Sequence, residues 1–224
     1  MKDLKAIRGR AYLQELINEG EHENQDFKYL ISDARKIARS ISAFANNSGG
    51  RLLIGVKDNG TIAGVRNEED VYMIEQAAQM YCSPPQQVEF TAFNAGDGVV
   101  VIRASIAASS ERPVMAQEPD KKWRAYFRVA DENIAAHPLM VRAWRHMASG
   151  RRSVFRLDGP EAAIMAALPD DEATIGIPEA MRVTGVSRRT AESAVIRLVA
   201  LGLVEFVHAP AGFVLRRSSP DCSD

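Results

Sequence analysis

Cysteine is almost missing from this 224-residue chain: only Cys82 and Cys222 occur, the second in a polar tail. Two thiols make no disulfide framework, so a reducing compartment is the expected setting. A charge excess is missing as well. The formal net charge is −1, so any anionic partner must be met by local patches rather than by a broadly basic surface. No apolar run approaches the ~18 residues of a bilayer span, and the opening residues MKDLKAIRGR lack the apolar core of a signal peptide. By elimination a cytoplasmic protein without membrane contact is expected. His22, His137, His146 and His208 are scattered with no cysteine or histidine at ligand spacing, which leaves no zinc pattern. No serine or cysteine nucleophile motif occurs. Trp123 and Trp144 are expected to pack rather than to act as base-stacking platforms.

What is present suits two globular domains, since domains usually run ~100–200 residues and 46% of the chain is apolar. The periodicity predicts a helix over 3–19 ended by Gly20, a short strand over 22–30 and a helix from an N-cap at Ser32 to Asn46. On that second helix Ala34, Ile37, Ala38, Ile41, Phe44 and Ala45 share one side, and Arg35, Arg39, Ser42 and Asn46 form a polar stripe opposite. The apolar run 51–56 reads as a buried strand. Asp58, Asn59 and Gly60 mark a hairpin turn, with 61–65 as the returning strand. A helix over 68–81 stops at Pro84 and Pro85. Strands follow at 88–93, 99–106 and 124–129, then a helix over 137–147. The expected division is an α+β mixed-sheet domain over 1–150, a second domain over 151–217 and a tail over 218–224, with Arg151 and Arg152 at the boundary.

In the second domain, helices over 160–168 and 178–184 precede a helix capped by Ser187 and ended by Gly202. Strands at 203–207 and 213–216 then flank a turn. Three helices followed by a hairpin is the winged-helix order, and the run 187–204 resembles the winged-helix transcription-regulator pattern. Ala191, Ala194, Val195, Leu198 and Leu201 form the buried stripe of the third helix. Arg188, Arg189 and Arg197 project from the remaining surface, where a helix can enter a major groove. Arg216 and Arg217 end the hairpin and can meet phosphates. A plain solvated face, or a protein-interaction module, is the other reading of the same residues.

Other residues carry a family resemblance. Glu21, Asp26, Phe27 and Lys28, then Ser42 to Asn46 with Gly49 and Gly50, then Leu53 to Val56 with Asp58 and Gly60, resemble the Schlafen AlbA-like putative DNA-binding domain; Pro113, Tyr126, Phe127 and Arg128 are similar to its late landmarks. The similarity spans about residues 10–135. It implies a DNA-binding transcriptional regulator, since bacterial relatives join this domain to a C-terminal winged helix. It also implies an alternative, because some relatives are metal-dependent endoribonucleases whose three catalytic carboxylates match Glu21, Asp26 and Asp58. The chain departs from that pattern at Asp26, where the family has glutamate, and at Lys57, where an acidic residue is frequent.

The residues themselves allow both directions. Three carboxylates can hold Mg²⁺ or Mn²⁺, which would polarise a phosphodiester of structured RNA. However, Glu21 and Asp26 lie five apart on an expected strand, hence on opposite faces unless a bulge intervenes. A third reading is an ATP-sensing module built on the glycines after Asn46. There the order is helix, glycines, strand, the reverse of a phosphate-cradling loop, so helix carbonyls rather than amides face the loop. Asn46, Gly49, Gly50, Gly55 and Gly60 are therefore expected as turn residues, and ATP is not expected. Lys28, Arg35, Lys36, Arg39, Arg51 and Arg128 make either a phosphate-binding face or an ordinary helix exterior. The expected partner is DNA or structured RNA, with a homodimer left open.

Overall fold

The computed structural model describes residues 4–65, 69–150 and 157–219. The chain divides into two compact units, Met1–Ala136 and His137–Asp224, and it is mixed α+β as the periodicities indicate. Arg151, Arg152 and Cys222 lie outside the described residues. No helix among the described residues is long and apolar enough to cross a membrane.

The first unit runs β1 (Ile7–Arg8), α1 (Arg10–Glu19), β2 (Gln25–Lys28), α2 (Ala34–Asn46), β3 (Gly50–Ile54), α3 (Glu69–Met80), β4 (Cys82–Ser83), β5 (Val88–Gly96), β6 (Val99–Ile106), β7 (Met115–Gln117), β8 (Trp123–Val129) and β9 (Glu132–Ala135). Five strands form a mixed sheet in the order β1-β5-β6-β3-β2, parallel at its two edges and antiparallel between them. β3 explains why its sequence shows no alternation. Leu52 and Ile54 enter the core under α2, whereas Leu53 enters a separate core with Leu13, Leu16 and Ile17 of α1. Both faces of the strand are covered, so both must be apolar. Ala92 and Ile102 follow the first face, Phe93 and Val101 the second.

Helix α2 packs not only on this sheet but also on a second one, ordered β4-β7-β8-β9. That corrects the one-sided helix read from the sequence, because Ser40, Ser42 and Asn46 are buried along with the apolar side. Its N-cap is Asp33 rather than Ser32: the Asp33 carboxylate accepts from Arg35 N–H at 2.9 Å. Helix α1 begins at Arg10 rather than at residue 3, because Ile7 and Arg8 pair in parallel with Phe93 and Asn94. A turn does form after β3, with Gly60 N–H donating to Lys57 C=O at 2.8 Å, but its central residues Asp58 and Asn59 lack the positive φ of a primed hairpin turn. The returning strand does not form. Only Ile62 bridges Val56, because Ala63 and Gly64 both donate to Gly55 C=O, at 2.8 and 2.9 Å, and turn the chain away.

The second unit contains α4 (Pro138–Ala148), α5 (Gly159–Ala166), β10 (Thr174–Gly176), α6 (Ile177–Val183), α7 (Arg188–Ala200), β11 (Val204–Ala209) and β12 (Gly212–Arg217). Its strands form an antiparallel sheet in the order β10-β12-β11. The boundary expected after Gly150 moves to Ala136. Helix α4 packs along α7, and its Leu139 and Ala143 join Ile164, Ala194, Leu198, Phe206 and Leu215 in one core. An i, i+4 apolar pair of this kind must be covered somewhere, and the second unit covers it.

Candidate nucleic-acid interface

Glu21 and Asp26 meet because the chain folds back between them. His22 N–H donates to Gln25 C=O at 3.0 Å and Gln25 N–H returns to His22 C=O at 3.1 Å, which supplies the irregularity that a straight strand lacks. Glu21 Oε1 then accepts from Phe27 N–H at 2.8 Å. Burial raises the Glu21 carboxyl above its ordinary range, and a hydrogen bond with Asp26 raises it further, against the opposing Phe27 N–H. Asp26 is itself buried. Lys28 Nζ lies 2.7 Å from one of its oxygens and the Arg128 guanidinium 3.5 Å from the other.

Arg128 is therefore not a surface cation. Its side chain is 1% exposed, lies over the Phe44 ring at 5.0 Å, and donates to His22 C=O, Gln25 C=O and Asn133 Oδ1 at 3.0, 3.2 and 3.1 Å. The other expected arginines of this unit are also engaged. Arg51 binds Glu19 and Gln25, Arg35 lies over the Tyr81 ring at 4.6 Å, and Arg39 forms a two-pronged pair with the buried Glu118. Burial pushes the Glu118 carboxyl up, but hydrogen bonds from Arg39 and from Tyr126 Oη, the latter at 2.6 Å, outweigh it and hold the carboxyl low. Burial, together with that same contact, pushes the Tyr126 hydroxyl up to about 12. A cleft of about 430 Å³ runs beside this network, lined by Lys28, Lys36, Arg39 and Arg128 together with Asp26, Asp131 and Glu132. It mixes both signs and is no uniform phosphate channel.

Ser42 and Asn46, one turn apart on α2, bind backbone rather than solvent. Asn46 accepts from Val114 N–H at 2.8 Å and donates to the carbonyls of Val114 and Tyr126, both at 2.8 Å. Ser42 Oγ donates to Val114 C=O at 2.8 Å and accepts from Tyr126 N–H at 3.0 Å. The Asn47 side chain donates to Arg128 C=O at 3.0 Å and accepts from Arg128 N–H at 3.2 Å. The expected turn role of Asn46 gives way to that of a buried clamp between the helix and the second sheet. The glycines do serve the turns. Gly49, Gly55 and Gly60 have φ of 85°, 92° and 78°, a region where only glycine is unstrained. Gly50 does not need that freedom, but a Cβ there would sit 2.2 Å from the Phe44 ring.

The carboxylate trio does not form a metal site. Glu21 and Asp26 come together, but Asp58 is exposed in its turn, and no group of three His, Cys, Asp or Glu side chains suited to a metal ion occurs among the described residues. Lys28 and Arg128 already neutralise Asp26, so the donors present make an ion-pair network and not a Mg²⁺ or Mn²⁺ cradle. Trp144 is buried as expected, whereas Trp123 is 41% exposed on β8 and does not pack in a core.

In the second unit α7 carries its expected buried stripe: Ala191, Ala194, Val195 and Leu198 are fully covered, although Leu201 is exposed. The Ser187 hydroxyl caps its first turn by accepting from Thr190 N–H at 3.3 Å. Arg188 and Arg189 are exposed at that turn; the Arg188 side chain is 86% exposed and pairs with Glu192 at 2.8 Å. Arg197 instead pairs with the buried Glu161, and Arg216 pairs across the hairpin with Glu205 at 2.6 Å. Sequence reasoning missed Arg142 of α4, which reaches Glu192 at 2.5 Å. It also missed Glu118, which sits in a turn-like stretch with nothing to mark its partner.

Among known proteins, the sequence profile of the family described as Schlafen, AlbA_2 matches residues 21–137. The solved structure of the DIP2311 protein from Corynebacterium diphtheriae is similar at 19% identity and a TM-score of 0.41, covering 86% of this chain and 34% of that one, so the chain spans about a third of the length of that protein. No curated protein matches.

Proposed function

Since the chain belongs to the Schlafen AlbA_2 family, we propose that it is a DNA-binding transcriptional regulator whose second unit is a winged helix. The observation that carries this reading is the presentation of α7. It is a capped helix with a buried stripe behind it and two arginines exposed on its first turn. The order α5, β10, α6, α7 and the β11–β12 hairpin, with β10 completing the small sheet, is the order of a winged helix. In such a module the N-terminal turn of the third helix stands nearest the base edges, and cations there add salt-sensitive phosphate affinity.

The endoribonuclease reading lacks a metal cradle among the described residues. An ATP reading meets helix carbonyls where amides are needed: Asn47 N–H and Gly49 N–H turn inward to α2 carbonyls. The test is the anisotropy of a labelled mixed-sequence duplex, titrated with the native chain and with Arg188→Ala/Arg189→Ala at several salt concentrations. Removing one cation that neutralises a phosphate lowers the slope of log affinity against log salt by about 0.9. A folded double variant with unchanged affinity and slope would take the DNA-reading role away from α7.

A further inference from the structure

Two helical stripes face each other in the second unit. On α4, Arg142, Arg145, His146 and Ser149 stand at i, i+3, i+4 and i+7, so they share one side. On α7, Ser193 and Arg197 stand at i and i+4, and Arg189 continues that stripe one turn toward the helix start. Together the two helices enclose a groove of about 500 Å³ whose lining holds Arg142, Arg145, His146 and Arg197 and no carboxylate.

The charges leave a surplus there. Arg142 and Arg188 share Glu192, and Arg197 is matched by Glu161. Arg145 is exposed on the groove, and Arg189 is exposed on the same stripe of α7. A helix C-terminus ordinarily repels anions through its open carbonyls. At the end of α4 those carbonyls are occupied: Ser149 N–H donates to Arg145 and His146 C=O at 3.1 and 3.2 Å, Ser149 Oγ donates to His146 C=O at 2.7 Å, and Gly150 N–H donates to Met147 C=O at 3.2 Å.

We propose that this groove between α4 and α7 seats the phosphodiester backbone of a DNA duplex, as a second contact beside the exposed first turn of α7. The proposal rests on the DNA-binding reading above and extends it to α4, a helix with no part in the three-helix-and-hairpin pattern. The chemistry is non-specific: cations and hydroxyls along a groove fix register and strength of binding and read no base.

The experiment uses the full chain, the mixed-sequence duplex described above and three proteins: native, Arg145→Ala/His146→Ala, and Arg188→Ala/Arg189→Ala. Neither Arg145 nor His146 is buried, so the first double variant should melt as the native chain does. It is expected to bind the duplex roughly tenfold more weakly, with a salt slope lower by about one. Preference among duplex sequences should be unchanged. Native affinity and slope in Arg145→Ala/His146→Ala, with binding abolished in Arg188→Ala/Arg189→Ala, would overturn the groove proposal and leave the α7 reading intact. No duplex binding by the native chain would overturn both. Calorimetric binding of inorganic phosphate by the native chain, abolished in Arg145→Ala/His146→Ala with duplex binding unchanged, would assign the groove to a small anion and overturn the proposal as well.

Discussion

Replacing Asn46 with alanine asks whether the family's Phe44-Ala45-Asn46 segment is a clamp or a binding residue. Asn46 is 2% exposed and makes three hydrogen bonds to the backbone of Val114 and Tyr126. Alanine leaves Val114 N–H and Tyr126 C=O buried without that partner, while Val114 C=O keeps Ser42. Each stranded buried group costs ~1–3 kcal/mol, so the loss should be about 4 kcal/mol, a large part of the ~5–15 kcal/mol that holds a domain folded. The two tryptophans make the measurement clean, since Trp123 lies in the first unit and Trp144 in the second. In a Trp144→Phe background, urea unfolding followed by Trp123 fluorescence reports the first unit, and the midpoint should fall without a change in slope. Asn46→Asp gives the sign. It keeps the acceptor for Val114 N–H but aims a carboxylate at two carbonyl oxygens, so it should be at least as damaging near neutral pH and recover in acid, where the protonated form donates. Ser42→Ala combined with Asn46→Ala should be non-additive, because both side chains serve Val114 C=O. A loss below about 1 kcal/mol for Asn46→Ala would refute the clamp.

Three further outcomes follow from the same geometry. Gly55→Ala forces φ of 92° on a residue with a Cβ and places that Cβ 2.6 Å from the Gly64 carbonyl carbon; it should cost at least about 2 kcal/mol, and more than Gly98→Ala, which shares a positive φ of 78° but has nothing within 4 Å of its Cβ, and equal losses in urea unfolding would refute the close approach. A fragment of residues 137–219 should melt cooperatively, whereas one of 151–219 lacks Leu139 and Ala143 from its core and should melt lower or not at all; identical melting would return α4 to the first unit. The Glu21 carboxyl titrates above its ordinary 4.5 in the folded chain, so the folded state holds the proton more tightly. Its contribution is complete below that ordinary value and is lost as pH rises through the raised folded one, and Glu21→Gln should flatten that part of the stability–pH curve.

Local periodicity and local turn chemistry made much of the fold legible in advance. The buried stripe of α7 as far as Leu198, the two-faced apolar run of β3, and the glycines at 49, 55 and 60 each follow from neighbours a few residues away, and each stands where the sequence placed it. So does the approach of Arg188 and Arg189 to solvent, since a cap at Ser187 and a stripe at Ala191, Ala194 and Leu198 leave them no other side. The sequence could not decide which polar residues would be buried or whom they would meet. Asn46 reads as a polar stripe residue until Val114 and Tyr126, 68 and 80 positions away, bring backbone groups that need a partner. Arg39 and Arg128 read as surface cations until the second sheet delivers Glu118 and the fold-back at His22 delivers Asp26. The same lack of long-range information hid the allegiance of α4, whose apolar pair suits a partner in either unit. Hydrophobic pattern and turn residues are properties of short stretches of chain. The pairing of buried charges and hydrogen-bonding groups is a property of the assembled core, where desolvation makes every unpaired group costly, and only the tertiary structure fixed those pairs.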